Sequence, residues 1–167
     1  MGKKHYIITS ITLGLIAAAS GALIGLANLV TKDKIAQNEK DRINAGISEI
    51  FGKSATISSE NEVSGYKYTN YLYYVNESSL AFRTEGSNSY GKVSLLVGFN
   101  YAEDEYKFAG LYVVVNEQTY ASTLVANYLE PVNGGTRDLE DVSCGATYGA
   151  KLVRDMVNEA KEAASKL

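Results

Sequence analysis

A single membrane-spanning helix followed by one α+β domain, an antiparallel sheet flanked by helices, is the architecture this 167-residue sequence predicts. Three observations predict it. Tyr6 to Thr31 is an uncharged, mostly apolar run; strand-length apolar runs follow one another between residues 79 and 116 with short polar connections; and two helical patterns come after them.

The N-terminal run has 26 residues without a charge, between Lys3, Lys4 and His5 on one flank and Lys32, Asp33 and Lys34 on the other. As a helix it is about 39 Å long, enough to cross a hydrocarbon core of about 30 Å with tilt. A cleaved signal peptide is the competing reading, with Ala17-Ala18-Ala19 as the small-residue site. Against it, Ala22, Leu23, Ile24, Leu26, Ala27, Leu29 and Val30 carry the apolar character well past that point, so an uncleaved anchor is expected. Lys3 and Lys4 favour a cytoplasmic N-terminus, a bias that Lys32 and Lys34 reduce, and place the rest of the chain outside the membrane. Gly21-x-x-x-Gly25, with Gly14, Ala18 and Ala22, gives small-residue faces on which a partner helix can approach.

After the span, Lys34 to Phe51 reads as a helix with Ile43, Ile47, Ile50 and Phe51 on one stripe, stopped by Gly52. Ile57 to Tyr74 is polar and then Tyr-rich, and its pattern fits a strand or an aromatic surface equally. Strands are predicted at Ser79–Thr84, Lys92–Tyr101 and Phe108–Asn116, joined through Glu85–Gly91 and Ala102–Lys107, with the last two forming a hairpin of buried strands. Thr119–Tyr128 reads as helix, Glu130–Glu140 as loop. A final helix from about Tyr148 to Ser165 carries the stripe Leu152, Val153, Met156, Val157, Ala160 and Ala164. The expected divisions are an anchor at 1–31, an amphipathic juxtamembrane helix at 32–56 and a folded domain at 57–167.

Composition narrows the function classes. A net charge of −3 and a pI near 5.2 lack the basic surface that nucleic acid requires. His5 is the only histidine and lies in the charged flank of the span, and no His/Cys/Asp grouping has metal-ligand spacing, so hydrolase and metalloenzyme readings have little support. Cys144, the only cysteine, cannot form an intramolecular disulfide and lies too far from the N-terminus to be a lipoprotein anchor. The 13 tyrosines offer rings for stacking, though strand surfaces and core edges account for most such residues.

The stretch with the most chemistry is Asp141–Lys151, DVSCGATYGAK. It sets the hydroxyl of Thr147 directly after a small-residue turn at the start of an amphipathic helix. Backbone N–H groups freed by the Gly145-Ala146 turn, added to the positive helix end, favour an anion there. The same letters also fit a plain turn with Thr147 as N-cap. The pattern Asp-x-x-Cys-Gly-Ala-Thr resembles the flavinylation signature Asp-x-x-(Ser/Thr)-Gly-Ala-Thr of the FMN-binding domain family, found in the G component of the Rnf electron-transport complex and the C component of the sodium-pumping NADH:quinone reductase. Cys144 stands where that family has Ser or Thr. The resemblance extends over roughly residues 86–158: GSNSYGKVSLLVGFN is similar to the family's Gly-Tyr-Gly-Gly segment and core strand, and FAGLYVVVNEQTYASTLVANYLEPVN to the strand and flavin-side loop after it. The family's Glu-Thr-Pro-Gly-Leu-Gly is replaced here by Glu117-Gln118-Thr119-Tyr120-Ala121-Ser122. The anchor followed by a Lys-Ile-Ala helix is likewise similar to the start of the Rnf complex's G component.

What this resemblance implies is FMN held on Thr147 by a phosphoester, attached by an extracytoplasmic flavin transferase. Asp141 serves recognition by that enzyme, Gly145 and Ala146 the close approach of backbone to phosphate, and Glu117 and Thr119 the flavin-side loop. Lys151 supplies countercharge or is simply a solvated helix residue; Cys144 is a small turn residue in preference to a redox thiol or an iron ligand. The expected protein is an electron-carrier subunit of an ion-translocating oxidoreductase complex with other membrane subunits as partners, or a related electron-export carrier. The alternative from another class is a non-redox envelope module, pilin-like or surface-binding, with the same apolar helix and α+β domain.

Overall fold

The computed structural model describes residues 3–167, without the side chains of Lys3, Lys4, His5, Ile7, Leu29, Val30 and Asp33, so the lysine bias and the lone histidine lie outside the described residues. The order is α1 (Lys3–Phe51), β1 (Ile57–Glu62), β2 (Thr69–Val75), β3 (Ser79–Asn88), β4 (Gly91–Ala102), β5 (Glu105–Asn116), α2 (Ala121–Leu124), a π-helical turn (Val125–Leu129), α3 (Glu130–Asn133) and α4 (Thr147–Ala164). This is the expected α+β class. The chain forms two compact units, Met1–Asp41 and Arg42–Leu167.

In the first unit, Ile8–Asn28 is long and apolar enough to cross a membrane, and it is exposed throughout. Two hydroxyls of this helix are satisfied within it: Thr12 donates to Ile8 O at 2.9 Å and Thr31 donates to Ala27 O. Such i−4 bonds are what a hydroxyl needs where water is absent. The span and the helix after it, expected as two segments, are one continuous helix, since no glycine or proline separates them and Gly52, at φ +97°, provides the first stop.

The second unit is a five-stranded antiparallel meander in the order β1-β2-β3-β4-β5. Of the Ile57–Tyr74 segment left open by its pattern, Ile57–Glu62 and the residues from Thr69 onward are strand, while 63–68, with Tyr66 and Tyr68, connect them. β1 is an edge strand exposed at nearly every position and owes its form to pairing with β2. β3 runs further than expected, to Asn88, because Glu85, Gly86 and Ser87 continue the ladder opposite Ser94, Val93 and Lys92. The connection Ala102–Lys107 shrinks in the same way to Glu103 and Asp104, whose φ values of 56° and 62° are those of a tight hairpin turn.

Both sheet faces are covered, which explains the unbroken burial from Val93 to Phe99 in β4. One face packs Phe82, Leu95, Val97 and Phe99 against α4, whose entire expected stripe is buried. Each large apolar side chain so buried contributes about 1.5–3 kcal/mol. The other face receives the end of α1: Ile43 and Ile47 pack with Tyr73, Val75, Leu96 and Val114, and the Arg42 guanidinium donates to Val114 O at 2.9 Å. Glycines make this approach possible. A Cβ on Gly46 would lie 2.5 Å from the Tyr112 ring, and one on Gly98 would lie 2.6 Å from Ile50.

The expected loop Glu130–Glu140 instead begins as helix. Pro131 cannot donate to the carbonyl four residues back, that of Asn127, and the Arg137 guanidinium takes that carbonyl at 2.9 Å. The helical path thus survives the proline, with the wide turn just before it.

Glu159 of α4 fastens the start of β2. Its carboxylate accepts the N–H groups of Lys67, Tyr68 and Thr69 at 2.9, 2.7 and 2.8 Å and the Thr69 hydroxyl at 3.0 Å. Partial burial raises its pKa, but these donors outweigh burial and hold it below the usual value of 4.5. A carboxylate lowered on folding adds stability that is complete above the unfolded value and is lost as pH falls through the folded one. Glu159→Gln should therefore cost about 1–2 kcal/mol near pH 7, the lower part of the range for charged hydrogen bonds because the group is partly exposed. Urea denaturation should show that difference shrinking as the pH falls from the unfolded pKa through the folded one.

Candidate functional site

Three segments meet at one end of the domain. The first is the β3–β4 turn, where Asn88 Oδ1 accepts the Tyr90 N–H at 2.8 Å. The second is the exit of β5, tied to that turn: Glu117 N–H donates to Lys92 O at 2.8 Å, while Thr119 donates to Tyr90 O through its N–H at 2.8 Å and its hydroxyl at 3.2 Å. The third is the start of α4, reached by Asn88 Nδ2, which donates to Tyr148 O at 3.1 Å. Gln118, only 6% exposed, lies between them and donates through Nε2 to Asn88 Oδ1 at 3.1 Å and to Gly91 O.

These segments enclose an open cleft of about 250 Å3, lined by Tyr90, Gln118, Tyr120, Leu124 and Gly145 to Gly149. Thr147 is the first residue of α4 and is half-buried on the cleft wall. It is not the cap. The N-cap is Ala146, which has no side-chain acceptor, and the first intrahelical bond is Ala150 N–H to Ala146 O at 3.0 Å. The N–H groups of Thr147, Tyr148 and Gly149 therefore have no acceptor among the described residues, and they border the cleft. Gly145, at φ +83°, turns the chain into the helix.

Of the residues singled out from sequence, Thr147, Gly145 and Ala146 line the cleft; Cys144, Asp141, Lys151, Glu117 and Thr119 are not among its lining residues. The Asp141 carboxylate is exposed, pairs with the Arg137 guanidinium at 3.3 Å and accepts the Ser143 N–H at 3.3 Å. Lys151 is exposed, its ammonium 5.9 Å from the centre of the Tyr148 ring. Thr119 holds the Tyr90 backbone, and Glu117 is exposed.

Cys144 is 7% exposed and belongs to the core, with its carbonyl accepting Asn127 Nδ2 at 3.1 Å. Burial also pushes the Tyr128 phenol well up, keeping it neutral as the donor that pins Leu139 O in the preceding loop. Cys144→Ser should cost about 1–2 kcal/mol of stability by burying a hydroxyl. Thermal unfolding checks that figure, while the surface around Thr147 should be unchanged.

Sequence reasoning missed Tyr90, Gln118, Tyr120, Tyr148 and Gly149. Tyr90, Gln118 and Tyr120 lay inside the segments compared with the family without being singled out, and Gly149 left a signal as a glycine inside a helical pattern. A Cβ there would lie 3.0 Å from Leu124 and 3.2 Å from Gln118 Oε1, so its absence lets α4 close on the β5 exit. Among the described residues no group of three or more His, Cys, Asp or Glu converges.

The comparison that bears on this chain lies at its other end. Residues 1–50 match the family described as RnfG N-terminal region. The chain therefore resembles the RnfG component of the Rnf complex, as its own sequence led us to expect, and the match supports an Rnf-type complex subunit. The RnfG N-terminal region coincides with α1 almost to its end and contains none of the cleft residues. Together with the apolar stretch Ile8–Asn28 it indicates membrane anchoring. No curated protein matches the chain.

Proposed function

We propose that this protein is a membrane-anchored flavoprotein, with FMN joined to Thr147 by a phosphoester, that carries electrons as one component of an Rnf-type membrane complex. The observation that carries the reading is the placement of the Thr147 hydroxyl at the uncapped start of α4, on the wall of a cleft bordered by aromatic rings. It is supported by the RnfG N-terminal match and by the Asp-x-x-Cys-Gly-Ala-Thr pattern that ends on this threonine.

The residues present fit the group. Uncapped N–H groups and the positive end of an 18-residue helix stabilise the negative charge of the phosphodiester formed at Thr147. At about 250 Å3 the cleft is below the range of about 300–1,000 Å3 typical of sites that enclose a whole ligand, so it retains part of the cofactor and leaves part open to a redox partner. FMN supplies reversible one- and two-electron chemistry, and the protein supplies its placement. Gly145 and Ala146 let the backbone approach the phosphate, and Gln118 fixes the β5 exit against the β3–β4 turn. Asp141, exposed before the turn, is available to a flavin transferase during maturation. A covalent link keeps the cofactor in place on the outer side of a membrane, where a dissociated flavin is lost.

Mass spectrometry of the full chain co-expressed with a flavin transferase tests the reading. The expected result is an increase equal to FMN less one water, localised to the peptide containing Thr147; an unmodified chain overturns it and favours the non-redox envelope module. The proposed topology has a separate test in Lys161→Cys on a Cys144→Ser background, position 161 being exposed on α4. A membrane-impermeant maleimide should label it in intact spheroplasts. Labelling only after lysis places the domain in the cytoplasm, and release of the domain into the medium identifies a cleaved signal.

A further inference from the structure

Tyr90, Tyr120 and Tyr148 come from three different segments, yet all three border the same cleft and are 38%, 54% and 63% exposed. Large rings in water need a reason when the backbone beneath them is fixed. The Tyr90 carbonyl is held by Thr119, the Tyr148 carbonyl accepts from Asn88, and the Tyr120 carbonyl accepts the Leu124 N–H at 2.9 Å. The rings are thus presented by pinned backbone. Tyr90 is the shared partner: its ring centre is 5.2 Å from that of Tyr148 at an interplanar angle of 22°, and 6.4 Å from that of Tyr120 at 46°.

We infer that Tyr120 and Tyr148, linked through Tyr90, form an aromatic platform that binds and orients a planar heteroaromatic ring beside Thr147; the ring's identity as the isoalloxazine of FMN rests on the reading above. The cleft lining contains the groups such a ligand requires. Thr147 and the uncapped helix start supply polar groups, Leu124 and Ala146 contribute apolar wall, and the tyrosines supply ring faces. Thr147 and Tyr148 are successive residues of one helix and project roughly 100° apart, so one ligand can be held at its phosphate by the first and at its ring by the second. Tyr120 and Tyr148 are positioning residues. They set how the ring lies and hold it whether or not the ester has formed.

The test uses the full chain in detergent carrying Thr147→Val, so that no ester can form, and riboflavin, which has the ring and lacks the phosphate. Titration should give saturable quenching of riboflavin fluorescence. Tyr120→Leu and Tyr148→Leu should each weaken binding roughly tenfold through loss of a stacking face. Phenylalanine at either position should restore binding to within about twofold, since the ring face is retained. Inorganic phosphate should leave riboflavin affinity unchanged, because the two occupy different parts of the cleft. Absence of saturable quenching, or leucine variants that bind as tightly as their parent, overturns the platform. If FMN is nevertheless found on Thr147 of the wild-type chain, the electron-carrier reading stands without the platform. Tyrosine-dependent riboflavin binding with an unmodified Thr147 supports the platform and overturns the covalent attachment.

Discussion

Thr147→Val is expected to abolish covalent flavin completely while leaving the domain folded. The hydroxyl is the only part of the side chain that can become the ester, and valine keeps its β-branched shape. Thr147 is half-buried, and its hydroxyl makes no hydrogen bond among the described residues, so its loss should change stability by no more than about 0.5 kcal/mol. Were Thr147 a helix cap, the substitution would cost about 1 kcal/mol and have no bearing on flavin. The cap is Ala146, which separates the two readings. In-gel flavin fluorescence after denaturation is the measurement: signal retained in the valine variant removes Thr147 from the chemistry. Thr147→Ser keeps a hydroxyl and should retain modification at a reduced level.

The largest expected loss of stability from a single methyl group is at Gly91. A Cβ there would lie 2.1 Å from the carbonyl oxygen of Glu117, a backbone atom that cannot rotate away, and the residue sits at φ +133°. Overpacking costs about 1–3 kcal/mol and the backbone conformation a comparable amount, so Gly91→Ala should lose about 2–5 kcal/mol. Gly65→Ala is the control, because Gly65 has φ +90° with open space around it and should lose only about 1–2 kcal/mol. The effect at Gly91 should also reach function. Gly91 O accepts from Gln118, and the residue before it is Tyr90, so displacing the Glu117 strand exit opens the cleft. Denaturant unfolding of both variants, alongside the yield of modified protein, measures the two consequences. Equal losses at the two glycines would show that steric contact with Glu117 is not what makes Gly91 necessary.

Part of this molecule was legible because the relevant physics is local. The stripe from Leu152 to Ala164 is buried as its spacing requires, the apolar run near the N-terminus is helical, and Gly52 ends the helix at a positive φ. Periodicity and hydropathy belong to the chain before it folds, as does the meeting of a small-residue turn with a helix start at Thr147. The identity of the polar start of the Ile57–Tyr74 segment did not belong to it. β1 is exposed at almost every position, so its own residues give no alternation to read, and it is a strand only because β2 offers it a ladder. The extension of β3 to Asn88 rests likewise on β4 pairing across residues with weak strand preference, and the helix through Pro131 on a carbonyl claimed by Arg137.

The same division runs through the candidate site. By itself the sequence determined the apolar helix, the α+β class, the helix beginning at Thr147 and the motif that marks that threonine, because each depends on residues a few positions apart. Only the tertiary structure decided that Tyr90, Gln118 and Tyr120 stand beside Thr147, that Ala146 and not Thr147 caps the helix, and that Cys144 belongs to the core. Those facts depend on hairpin register and on how closely α4 approaches the β5 exit. Register and close approach are set by hydrogen bonds and contacts between residues as far apart as Asn88 and Tyr148, and no local pattern encodes them.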